Sequence, residues 1–158
     1  MDNRLVIGLS GVSAVLAPVR LEVEQLAAAG LVSSPPSVLR GLGFERAHVA
    51  DGRCEPGGLA LDAARAALAD AGLEASDIDL LVWASARPES HIRPKQPHAS
   101  QADLFDGFRY QSAWLQEELG LDNADVTAVA QQGCSTMFSA LRAARAILAT
   151  EPERTHAL

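Results

Sequence analysis

"AVAQQGCSTMFSALRAARAIL", Ala128–Leu148, passes from an apolar strand into a long apolar helix and sets Cys134 at the hinge between them. The helical half repeats apolar side chains at Met137, Leu141, Ala144 and Leu148, the spacing of one helix face. With Ala140 and Ile147 also apolar, the helix is expected to be deeply buried. The half before it, "DVTAVA", is a short apolar run and reads as a buried strand. A strand that feeds a helix through a tight polar turn is the building unit of an α/β fold.

Working outward, the same alternation recurs. "LALDAARAALADAG" places Leu61, Ala64, Leu68 and Ala71 on one helical stripe, and Gly72 ends it. "SDIDLLVWAS" follows as a second buried strand. "FRYQSAWLQEELG" reads as a helix turning Tyr110, Ala113, Trp114 and Leu119 inward and stopping at Gly120. Near the start, "RLVIGLSG" reads as another buried strand, and "RLEVEQLAAAG" as a short helix closed by Gly30. "LVSSPPSVLRGLG" is expected to be irregular, because Pro35 and Pro36 remove donors and favour extended backbone. Cys54 lies in the loop "ADGRCEPGG". The stretch 86–107, with three prolines, is expected to be a long surface loop, of the kind that tends to be functional. The tail "TEPERTHAL" turns and begins one more apolar run at Ala157 and Leu158. Helices alternating with apolar strands predict an α/β fold with a mixed, partly parallel sheet and helices on both faces.

Composition narrows the function. The 158 residues carry a net charge of -7, and Lys95 is the only lysine among thirteen basic residues. That balance argues against nucleic-acid binding, which needs clustered basic side chains on one face. No apolar stretch approaches the about 20 residues of a membrane span. The apolar run Leu5–Val19 has the length of a signal peptide, yet Asp2 offsets Arg4, and Gly8, Gly11 and Pro18 interrupt it. A strand and turn is the simpler reading. Two cysteines give no disulfide framework and fit a reducing, cytoplasmic setting.

Cys134 is the candidate for chemistry. A helix start leaves unpaired N–H groups and the positive end of the macrodipole, which favour the nucleophilic thiolate. Strand-to-helix turns also present side chains at the carboxyl edge of the sheet, where α/β folds place their sites. Gly133 allows the turn. Spacing alone also permits the bland reading, a small buried hydrophobe. Gln131 and Gln132 precede the cysteine and either shape a pocket or cap the sheet. Met137 and Phe138 either line an acyl channel or are core. His91 and His98 lie in the proline-rich stretch, with no metal-ligand spacing, so no metal or other cofactor is expected.

The ordered segments "RLVIGLSGVSAVLAP", "GLGFERAHVADG", "LALDAARAALADAGLEASDIDLLVWASARPE", "FRYQSAWLQEELGL" and "VTAVAQQGCSTMFSALRAARAIL" together resemble the N-terminal half of a β-ketoacyl-acyl carrier protein synthase III. The resemblance covers nearly the whole chain and implies the thiolase-like fold, in which two similar α/β halves form a layered sandwich. Residues 1–158 would be the N-terminal half-domain, with the complementary C-terminal half outside this sequence. It implies that Cys134 is the acyl-accepting nucleophile and that the substrate is an acyl-CoA or acyl carrier protein thioester. Gln132, Gly133, Met137 and Phe138 would border the substrate. Arg40 and Arg46 would be the candidates for meeting a phosphate, although Ser37 stands near the position of a tryptophan common in members that use coenzyme A. The family's catalytic histidine and asparagine belong to the second half; His48 matches a structural position and His156 lies past the last helix. The resemblance further implies a homodimer. The competing expectation is a non-catalytic half-domain serving as scaffold for a complementary ketosynthase chain, because a cut sheet edge must be covered.

Overall fold

A computed structural model describes residues 6–51, 56–86 and 110–158. Cys54, His91, His98 and nearly all of the expected loop at 86–107 lie outside the described residues. The chain divides into two compact units, residues 14–63 and residues 1–13 with 64–158, and the boundary falls inside one helix.

In the smaller unit, β1 (Val19–Glu22) pairs antiparallel with β2 (Arg46–Val49), Val19 opposite Val49 and Glu22 opposite Arg46. Helix α1 (Val23–Ala28) follows β1 directly, so "RLEVEQ" is strand and then helix rather than all helix. Glu22 makes the switch. Its N–H donates to Gln25 Oε1 at 2.8 Å while its side chain accepts from the Gln25 N–H, a reciprocal cap that fixes the helix start. Gly30 closes α1 at φ 66, with Leu31 N–H returning to Leu26 O at 2.9 Å. Val23 and Leu26 are its buried face. The stretch expected to be irregular contains a short helix, α2 (Pro36–Gly41). Pro36 occupies the first helical position, where its missing N–H costs nothing and its fixed φ suits the helix.

The larger unit holds the main sheet. Helix α3 (Pro56–Ala71) buries Ala64 and Leu68 on the predicted stripe and ends at Gly72, φ 68. Strand β3 (Leu80–Ser85) pairs in parallel with β4 (Asp125–Ala130), Leu80 opposite Asp125 through Ser85 opposite Ala130. The tail joins the other side of β3: Leu80 bridges Ala157 in parallel, Leu158 N–H donates to Leu80 O at 2.9 Å, and Val82 N–H donates to Leu158 O at 2.8 Å. Its apolar end is therefore held beside β3 by an isolated bridge. Helices α4 (Gln111–Leu119) and α5 (Thr136–Thr150) pack on β3 and β4. Ile78, Leu80, Leu81, Leu115 and Leu121 form the core, with Leu121 wholly buried.

Several expected burials are shifted. Val6–Ser10 forms no strand, and Val6 is 92% exposed. The chain is instead anchored just beyond it. Gly11 lies against the backbone of Ala67 and Ala71, and Val12 N–H donates to the Asp70 carboxylate at 3.0 Å. Strand β4 buries less than an apolar run suggests: among the described residues it pairs with β3 alone, and Val126 stays exposed. Helix α4 turns Ser112 and Leu115 inward and leaves Tyr110 exposed. Helix α5 buries Thr136, Ala140 and Leu148, while Met137, Phe138 and Leu141 face outward. That buried face sets the rotation of the helix.

Candidate active site

The path from β4 into α5 is a short, tightly determined turn. Strand β4 ends at Ala130, and Gln131 then adopts φ 66, the left-handed region, a costly conformation for a residue with a Cβ. Gln132 sits at φ -111, and Gly133 is left-handed again at φ 55. A Cβ on Gly133 would meet nothing within 4 Å, so the backbone angle, not crowding, calls for glycine. Gly133–Ser135 form one 3-10 turn, and α5 starts at Thr136. Cys134 is the middle residue of that turn, free and exposed. The packed-hydrophobe reading does not describe it.

Three hydroxyls fasten the turn to the helix. Ser135 donates from its N–H at 3.2 Å and from Oγ at 2.7 Å to the Gln132 carbonyl. Thr136 Oγ1 donates to the Gly133 carbonyl at 2.8 Å. Ser139 Oγ donates to Gln132 Oε1, from one helical turn further along. The ladder of the turn begins with the Ser135 N–H, so the Gly133 and Cys134 amides lie upstream of it, where helix starts leave donors for a ligand. These hydroxyls were legible only as spacing: Ser135 and Ser139 are four residues apart and share a helix face.

Gln132 and Gly133 flank Cys134 in the same turn, with the Gln132 amide oxygen engaged by Ser139. Met137 is 57% and Phe138 61% exposed in the first turn of α5. Arg40 and Arg46 belong to the smaller unit. Arg40 holds Glu24 with two bonds of 2.9 Å, from Nε and Nη2; this pairing lowers the Glu24 carboxyl pKa and raises that of Arg40. Arg46 is exposed on β2. His48 Nδ1 lies 2.8 Å from Ala17 O, a structural contact. His156 is part of the tail anchor, where its N–H and that of Thr155 both donate to Asp79 Oδ2.

A cavity of about 530 Å³ lies elsewhere in the larger unit, walled by Val6, Leu9, Leu141, Leu148, Pro152 and Ala157 among others; Cys134 does not line it. Among the described residues no group of three His, Cys, Asp or Glu side chains could hold a metal ion, and no helix is long and apolar enough to cross a membrane.

No protein-family model matches the chain. Solved structures do. A priming β-ketosynthase from a polyketide biosynthetic pathway superposes with a TM-score of 0.68 at 20% identity, over 89% of this chain and 36% of its own. The 3-oxoacyl-[acyl-carrier-protein] synthase III of Aquifex aeolicus gives 0.68 at 18% identity, over 89% and 39%. OleA of Xanthomonas campestris gives 0.64 at 18% identity, over 91% and 39%. This chain spans about two fifths of the length of these proteins. What the likeness establishes is the fold: a thiolase-like α/β arrangement shared with part of each of these proteins.

Proposed function

We propose, from the fold this chain shares with ketosynthases of the synthase III type, that it carries the acyl-accepting cysteine of an acyltransferase of that kind. The observation that carries the reading is Cys134, exposed in the middle of a fixed turn between β4 and α5. The substrate is an acyl thioester of coenzyme A or of an acyl carrier protein. The thiolate of Cys134 attacks the thioester carbonyl, and the new carbon–sulfur bond gives a tetrahedral oxyanion. Upstream N–H groups of the turn, that of Cys134 included, stabilise the oxyanion; such donors are typically worth about 10²–10³ in rate. Collapse breaks the original carbon–sulfur bond, and the carrier leaves as a thiol with the proton that Cys134 gave up. Nothing is oxidised or reduced. A malonyl-derived carbanion, or another nucleophile, then takes the acyl group and frees the cysteine. Exposed Met137 and Phe138 suit an apolar acyl chain beside the sulfur. Arg40 and Arg46 are the candidates for a phosphate of the carrier, with Arg40 having to share its guanidinium with Glu24. The reading includes a complementary half supplying the groups that complete condensation, a homodimer, a cytoplasmic location and a role in fatty-acid or specialised-metabolite synthesis.

The test is adduct formation. The chain is incubated with acetyl-coenzyme A and with an acetylated carrier protein, and peptides are mapped by mass. Acetyl mass on the Cys134 peptide, absent in Cys134→Ala, is expected. No adduct from either donor, with a complementary ketosynthase half present, overturns the reading. That outcome favours a second one, a scaffold subunit, for which the outward apolar side chains Met137, Phe138 and Leu141 on α5 are the supporting observation.

A further inference from the structure

Gln132 stands between two left-handed residues, Gln131 at φ 66 and Gly133 at φ 55. The backbone is thus left-handed on each side of it, so a small rotation at either neighbour redirects the segment between β4 and α5. Gln132 is the fixed point of that segment. Its backbone carbonyl takes two bonds from Ser135, and its side-chain carbonyl takes the hydroxyl of Ser139. The Ser135 and Thr136 bonds are local, spanning three residues, and would persist in any turn of this type. The Ser139 bond differs: it crosses seven residues and joins the turn to the body of α5. Helix α5 packs on β3 and β4, and Ala140, the next residue along, is buried. A side chain expected from the sequence to border the substrate thus has its amide oxygen committed to the scaffold.

We propose that Gln132 and Ser139 form a positioning pair, which sets the direction of the Cys134 side chain by tying its turn to α5. This rests on the acyl-accepting role of Cys134 proposed above. A group held in attack geometry reacts far faster than one free to sample, and a displacement of about 1 Å can cost 10²-fold. The pair acts on the orientation of the sulfur, not on affinity for the donor.

Two measurements test it on the full 158-residue chain. The first is amide hydrogen exchange. Ser139→Ala and Gln132→Met should speed exchange of the Ser135 and Thr136 amides, which donate to the Gln132 and Gly133 carbonyls, roughly tenfold, and Ser139→Thr, which keeps the hydroxyl, should restore protection. Unchanged exchange overturns the pairing whether or not the chain can be acylated. The second is acetyl transfer from acetyl-coenzyme A to Cys134. Ser139→Ala should lower the saturated acylation rate about tenfold and leave the half-saturating donor concentration and the iodoacetamide rate within twofold, because a small alkylating agent needs no fixed approach. Ser139→Thr should recover the rate. A wild-type rate in Ser139→Ala overturns the positioning role, as does a change confined to half-saturation, which would make Gln132 a substrate contact. If the unsubstituted chain is not acylated with a complementary ketosynthase half present, the role proposed for Cys134 fails, and the exchange result still decides the pairing.

Discussion

Replacing Asp79 should loosen the tail and cost the larger unit a measurable part of its stability. Asp79 Oδ2 accepts three bonds from the tail: Thr155 N–H at 2.7 Å, Thr155 Oγ1 at 3.1 Å and His156 N–H at 3.1 Å. Its backbone adds His156 O as acceptor for the Asp79 N–H at 3.0 Å and receives Arg154 Nη1 at 2.8 Å. A bond to a charged acceptor contributes about 1.5–3 kcal/mol, but three donors on one oxygen at a partly solvated site do not add fully. The backbone bonds survive substitution, and freed donors can turn to water. Asp79→Ala should therefore cost about 2–3 kcal/mol, and Asp79→Asn, which keeps an acceptor without charge, about 1 kcal/mol. The bonds from Thr155 and His156 hold the carboxyl pKa below its ordinary value, with the Thr155 N–H the largest cause. A lowered folded value means the stabilisation is whole above the unfolded value of about 4 and fades as pH falls through the folded one. The gap between wild type and Asp79→Asn should thus be constant from pH 8 to pH 5 and narrow below pH 4. Urea unfolding across that range reads it, and exchange of the Leu158 and Val82 amides reports whether the tail itself has loosened. Asp79→Ala within about 0.5 kcal/mol of wild type at pH 7 would refute the reasoning.

Gly11→Ala brings a Cβ to 2.5 Å from Ala67 O and 2.9 Å from Ala71 N, both backbone atoms of α3. It should cost about 1–3 kcal/mol in thermal or urea unfolding, with Gly8→Ala, which meets nothing within 4 Å, as the neutral comparison. Leu121→Ala removes a wholly buried side chain and should cost about 2–5 kcal/mol by the same measurement. Cys134→Ala should change stability by less than about 0.5 kcal/mol, since the side chain is exposed, while abolishing any acyl adduct at that position.

Elements with strong internal signals are where reading and structure meet. The stripe of α3 and the run Leu80–Ser85 are dictated by local pattern, and Gly30, Gly72 and Gly120 end helices at positive φ. What the pattern does not carry is rotation and partnership. Helix α5 is apolar on too many sides for periodicity to choose a face, and packing against the sheet selects Thr136, Ala140 and Leu148 over Met137 and Leu141. The Val6–Ser10 run has strand composition, but a strand needs a ladder partner, and composition names none. Strands β1 and β2 are four residues each and half-exposed, too short to stand out from the helix and turn around them. At the candidate site, the cysteine, its glycine and the strand–helix junction were legible. The left-handed Gln131 and the Ser139 bond were not, because each arises from how the turn closes rather than from residue type.

The parallel pairing of β3 has a kinetic consequence. Leu80 meets Asp125 on one side and Ala157 on the other, so no bond of this sheet joins neighbours in sequence. Closing such long loops costs entropy before any ladder bond forms to offset it, and folds ruled by distant contacts take milliseconds to seconds rather than microseconds. During that interval the apolar residues of β3 have no ladder partner on either side. Refolding yield should therefore fall steeply with protein concentration, and dilution should rescue it where added time does not.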